Sequence, residues 1–269
     1  MSDAETAELA SAEFEVRVNE PSRTPAPTLI YLPGLHGNWT LIGDFRRALN
    51  GRVRFVETCY PPTLEWSLNE FAKAFEQAMS SRGIDSGWLL AESFGSQVAW
   101  PILQRGQFKV EGLILAGGFV KHPLRRAVQL AEAIAGKISL TVLIHILFGY
   151  ARVARFRFRN SPDTHKGIEE FIARLNERER QAAKHRLRLV AASAPLEMAR
   201  EARVPVFALT GLIDPIVPWI FVRPWLRRHC KALKDYRVIY RADHNVLGTA
   251  PKKSADMIMH WITEPQSQK

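Results

Sequence analysis

The chain has 269 residues, 46% of them hydrophobic and 24% charged, a balance that excludes disordered, collagenous and disulfide-knot chains. At this length roughly three quarters of the unfolded surface can be buried, in one domain of about 250 residues or in two smaller ones. Of the net charge of +10, +9 is carried between Lys121 and Val204, where 17 Lys and Arg stand against 8 Asp and Glu, so one segment holds nearly all the excess.

The start, Met1 to Thr6, has no basic region followed by an apolar stretch and does not read as a secretory signal, so cytoplasm is the expected location. Phe14 to Val18 alternates as an edge strand does. Short apolar runs bounded by Gly, Pro and Asp then alternate with stretches of helical period, the pattern of a parallel sheet with crossover helices. The strand candidates are 28–32, 53–56, 88–91, 112–116, 205–209 and 236–240, most of them near-continuously apolar, as strands buried on both faces must be. Helical patterns run over 41–49, 67–81, 94–104, 219–232 and 252–262; Ser67 with Glu70 three residues on reads as a capping box. Pro101 lies inside the third of these helices and is expected to kink it or end its first part.

Between Val120 and Arg200 the alternation stops and Arg-rich helical stretches follow, so residues 121–200 are expected to form a helical lid inserted into a core made of 1–120 and 201–269. Its most apolar run, Ile138 to Tyr150, is interrupted by Ser139, Thr141 and His145 and falls short of the roughly 20 residues that span a bilayer, so no transmembrane segment is expected. Cys59 and Cys230 have no CxxC or Cys/His spacing and read as free thiols in a reducing compartment, with neither a zinc site nor a disulfide framework.

Ala91-Glu92-Ser93-Phe94-Gly95 sits at a strand-to-helix junction, and small residues at 91 and 95 are what a sharp turn needs to lift a serine oxygen clear of the backbone. Taken alone, the same pattern suits a serine that merely caps a helix. Leu32-Pro33-Gly34-Leu35-His36-Gly37 ends the first buried strand in a glycine-rich turn, and by position the N–H groups of Leu35 and Phe94 are the candidates to hold an oxyanion. His36 falls beside that oxyanion site and reads as a loop or pocket residue rather than a base. Asp214 and His244 each follow a late core strand, and in a parallel sheet the carboxyl ends of all such strands share one edge with Ser93. Asp243 competes with Asp214, but beside His244 it is poorly placed to orient the far side of the imidazole. Loop position also suggests Trp39 and the residues near Val217 as pocket lining.

The joint order, a glycine-rich turn and then Ser, Asp and His each after a strand, resembles the α/β-hydrolase superfamily over most of residues 25–262. Ala91 stands where that family most often has Gly, and Pro33 where many members have His. The resemblance implies an α/β fold, a mostly parallel eight-stranded sheet flanked by helices, with a cap over the active site. It also implies a Ser93–His244–Asp214 triad that cleaves a carboxylic ester through an acyl-enzyme, with no metal or organic cofactor. Thioester hydrolysis, acyl transfer and carbon–carbon cleavage use the same site, and a non-catalytic binding module is the alternative from another class. The expected partner is a small ester or acyl substrate. Leu140, Val142, Leu143, Ile146, Leu147 and Phe148 are either candidate walls of an acyl pocket or residues that pack the lid on the body. Arg152, Arg155, Arg157 and Arg159, interleaved with Phe156 and Phe158, read either as a solvated face or as a patch for an acidic partner such as an acyl carrier protein or an anionic surface; no nucleic acid is expected.

Overall fold

The computed structural model describes residues 13–135, 169–170, 172–173 and 176–263. Seven strands form one sheet among them: β1 (Glu15–Asn19), β2 (Thr28–Leu32), β3 (Arg54–Cys59), β4 (Ser86–Glu92), β5 (Lys109–Ala116), β6 (Val206–Gly211) and β7 (Leu233–Ile239). Their order is β1-β3-β2-β4-β5-β6-β7, with β1 antiparallel to β3 and every other pair parallel. The architecture is the mostly parallel α/β sheet expected, with seven strands described where the resemblance implies eight.

Successive strand residues go to opposite faces, and both faces are apolar. Ile30, Leu32, Leu89, Ala91, Leu113 and Leu115 join one core, while Leu29, Tyr31, Trp88, Leu90, Ile114 and Phe207 join the other. Helix α1 (Gly43–Leu49) supplies Phe45 and Leu49 to the second core; α2 (Leu68–Ser80) and α3 (Gly95–Arg105) supply Phe71, Phe75, Val98 and Ile102 to the first. The expected capping box is present: the Ser67 side chain accepts from Glu70 N–H, and Glu70 accepts from Ser67 N–H. Helix α3 runs through Pro101 to Arg105, so the proline does not end it. Gly95 to Ile102 are all buried, and the Gln97 and Trp100 side chains donate to the carbonyl of Phe119, so tertiary packing outweighs the lost helical bond.

Strands β5 and β6 are joined by the long insertion. Its described helices are α4 (Arg125–Ala135), α5 (Glu177–Ala192) and α6 (Leu196–Arg200). The apolar run 140–148 and the arginine run 152–159 lie outside the described residues. After β6 come α7 (Trp219–His229), β7, the short α8 (Val246–Thr249) and α9 (Pro251–Thr263), whose Ala255 and Ile258 pack in the second core. No helix among the described residues is long and apolar enough to cross a membrane. Both cysteines are buried, and neither forms a disulfide among the described residues.

The strand order fixes where a ligand can sit. The chain goes from β2 outward to β3 on one side and then returns to β4 on the other side of β2, so the connections after β2 and β4 diverge and leave a crevice at their carboxyl ends.

Candidate active site

Ser93 occupies that crevice, on the turn between β4 and α3. Its φ is +47°, a left-handed conformation uncommon for a residue with a side chain. The turn is held by Ser93 N–H donating to Ala116 O at 3.0 Å and by Ser96 N–H donating back to Ser93 O at 3.0 Å. A Cβ at Gly95 would lie 2.3 Å from Leu32 O, so only glycine lets the elbow lie against the end of β2.

The Ser93 Oγ lies 2.9 Å from His244 Nε2, and His244 Nδ1 lies 2.9 Å from Asp214 Oδ2. The other oxygen of Asp214 accepts the Ile216 and Val217 amides at 2.9 and 2.8 Å, which fixes the carboxylate, and the Thr210 hydroxyl donates to Oδ2 at 3.3 Å. The Asp214 side chain is fully buried. Gly117, with φ of +58°, makes room for the histidine loop: a Cβ there would lie 2.9 Å from His244 O. The structure thus brings together three side chains that reach the crevice from the ends of β4, β6 and β7. Oδ1 of Asp243 accepts the Asn245 amide at 3.1 Å.

Residues 34–37 form a turn closed by Gly37 N–H donating to Gly34 O at 3.0 Å, and a Cβ on Gly34 would stand 3.5 Å from Ser93 Cβ. Leu35, in this turn, and Phe94, next in sequence, both stand close to Ser93. Neither amide donates a backbone hydrogen bond among the described residues. Helix α3 starts at this point, so its positive N-terminal end faces the same place.

Two buried groups that the sequence did not single out hold the 34–37 turn. Arg186 of α5, 1% exposed, donates from Nε to Leu35 O at 2.9 Å and lies against Gly37. Burial pulls its pKa down, opposed by Glu179 and then Tyr60. On the other side the Tyr31 hydroxyl donates to Glu92, and His36 Nε2 lies 3.4 Å from that hydroxyl and 3.9 Å from the Glu92 carboxylate. Burial lowers the His36 pKa, with Glu92 acting in the opposite sense. His36 is a loop residue within the turn itself.

A cavity of about 200 Å³ opens over Ser93, lined by Leu35, Phe119 and His122 from the core side, by residues of α4 and α5, and by Pro215 and Ile216. Trp39 is not among the lining residues; it is buried in the second core beneath the Arg17 guanidinium, 4.4 Å from its ring centre. The residues near Val217 are represented by its neighbours Pro215 and Ile216. No group of His, Cys, Asp and Glu arranged to hold a metal occurs among the described residues.

No family model matches the sequence, and no curated protein does. Solved structures do. An esterase from Exiguobacterium antarcticum superposes with a TM-score of 0.75 at 12% identity, over 95% of this chain and 97% of that one. The enol-lactonase from Burkholderia xenovorans gives 0.75 at 13%, over 93% and 96%. An N-acyl homoserine lactonase gives 0.71 at 18%, over 96% and 97%. With its sheet order, its elbow and these neighbours, the chain has the fold of the α/β-hydrolase superfamily.

Proposed function

We propose that the protein is a serine hydrolase that cleaves carboxylic esters, lactones included, through an acyl-enzyme. The observation that carries this reading is the unbroken contact from Ser93 Oγ through the His244 imidazole to Asp214, whose second oxygen is already committed to two backbone amides. A carboxylate so fixed accepts the Nδ1 proton of neutral His244 and leaves the Nε2 lone pair facing the serine. Ser93 Oγ attacks the ester carbonyl carbon while His244 takes its proton. The tetrahedral oxyanion is held by the Leu35 and Phe94 N–H groups. The intermediate collapses to the acyl-serine as His244 passes the proton to the departing alcohol, and water then repeats the sequence to release the acid. The chemistry needs no metal or organic cofactor. The names of the structural neighbours, esterases and lactonases, support the same class.

We take residues 121–200 as a cap over this site, because Leu124, Ala127 and Val128 at α4 and Leu187 and Val190 of α5 wall the cavity above Ser93. The arginine run 152–159 is then the part of the cap suited to an acidic partner.

The test is covalent labelling with a fluorophosphonate probe together with hydrolysis of p-nitrophenyl esters. The wild-type protein should form one adduct, on Ser93, and Ser93→Ala should lose both the adduct and about 10⁴-fold or more of kcat. Full hydrolysis by the folded Ser93→Ala protein, or no adduct on the wild type, overturns the reading.

A further inference from the structure

The cavity over Ser93 is walled almost entirely by hydrocarbon. Apart from Ser93 itself, His122 is the one polar side chain among its described lining residues. Its ring orientation is fixed twice over. Nδ1 accepts the Leu124 N–H at 3.2 Å, and the ring stands edge-on to Phe119 with centres 4.9 Å apart. A backbone amide can only donate, so the lone pair is on Nδ1 and the proton of the neutral ring is on Nε2. Burial, reinforced by the nearby His244 and opposed by Asp214, pulls the His122 pKa down to about 4, which keeps the ring neutral at pH 7. Nε2 makes no hydrogen bond among the described residues.

A donor fixed in an apolar cavity discriminates between ligands. An aliphatic chain that fills the space strips water from the N–H and gives nothing back, whereas a chain carrying an oxygen at that point satisfies it. We infer that His122 is a specificity residue, its Nε2–H donating to an oxygen acceptor on the substrate, so that the preferred esters carry a carbonyl, ether or hydroxyl oxygen in the arm that fills the cavity. This assignment rests on Ser93 being the nucleophile.

The experiment crosses two substrates with three proteins. Hydrolysis of p-nitrophenyl hexanoate is compared with that of an isosteric ester in which one chain methylene is replaced by an ether oxygen, using wild type, His122→Phe and His122→Gln. The ratio of the two kcat/KM values in one protein, divided by the same ratio in another, cancels the intrinsic reactivity of the esters. His122→Phe should lower the ratio in favour of the ether ester about tenfold, and His122→Gln, which keeps a donor, should restore most of it. A His122→Phe protein that slows both esters by the same factor overturns the assignment and leaves the hydrolase reading standing. Absence of both turnover and fluorophosphonate labelling in the wild type brings down the hydrolase reading and this assignment with it. An independent readout is the ring ¹⁵N spectrum, with His122 assigned by its loss in the variants: Nε2 should carry the proton at pH 7, and a ring protonated on Nδ1 overturns the assignment whatever the kinetics.

Discussion

Replacing Asp214 by Asn tests the tautomer argument directly, because the two residues have the same shape and the surroundings dictate which way the amide points. Oδ1 of Asp214 accepts two backbone N–H groups, from Ile216 and Val217. Turning the NH₂ of an asparagine toward them would leave both donors unpaired in a buried place, at about 1–3 kcal/mol each. The amide oxygen must therefore take the Oδ1 position, and the NH₂ faces His244 Nδ1 in place of the carboxylate oxygen at 2.9 Å. The imidazole then accepts on Nδ1 and carries its proton on Nε2, aimed at Ser93 Oγ, where it is unable to take the serine proton. A wrong tautomer of this kind lowers kcat about 10⁴-fold, equivalent to about 5.4 kcal/mol of barrier. The assay is kcat for a p-nitrophenyl ester, with thermal melting to verify that the fold is intact. An Asp214→Asn protein that melts normally and keeps kcat within tenfold of wild type refutes the reasoning.

Arg186→Met should separate stability from activity. The substitution removes a buried cation whose two terminal nitrogens make no hydrogen bond among the described residues, with the nearest Glu179 oxygen at 3.8 Å, so the melting temperature should hold or rise. It also frees the Leu35 carbonyl, and kcat should fall about 10²-fold as the 34–37 turn loosens. A melting temperature that falls in step with kcat would instead make Arg186 a structural residue only. Gly95→Ala forces a methyl to within 2.3 Å of Leu32 O and should lower stability by about 1–3 kcal/mol and depress fluorophosphonate labelling; unchanged melting and labelling would mean that the elbow has room to spare.

Where side-chain periodicity and turn residues carry the information, sequence and structure agree closely. The run 28–32 coincides with β2, and the Ser67–Glu70 box starts α2. Strand ends are less legible where polar residues are buried. The pattern ends a strand at Val56, whereas β3 continues to Cys59, because Glu57 is fully buried between Arg17 and Arg46 and the Thr58 hydroxyl donates to Tyr31 O. β4 likewise reaches Glu92, which is paired with Tyr31 from 61 residues away. Such pairs have no local signature.

The same reason separates the parts of the site. Ser93, Asp214 and His244 are legible because each follows a strand of the sheet. Arg186 is one arginine among many on α5, and only its 151-residue reach to Leu35 O distinguishes it. His122 stands in a segment with no pattern of its own, and its tautomer depends on an amide two residues on.

The 151 residues that separate Ser93 from His244 matter during synthesis. The elbow and the 34–37 turn leave the ribosome long before β6 and β7 do. On the proposed triad, a nascent chain therefore displays its serine without a base to activate it, and chemical competence arrives only when the last two strands have docked, at the far side of the whole insertion. Half-built copies are then inert, and turnover reports completed tertiary structure.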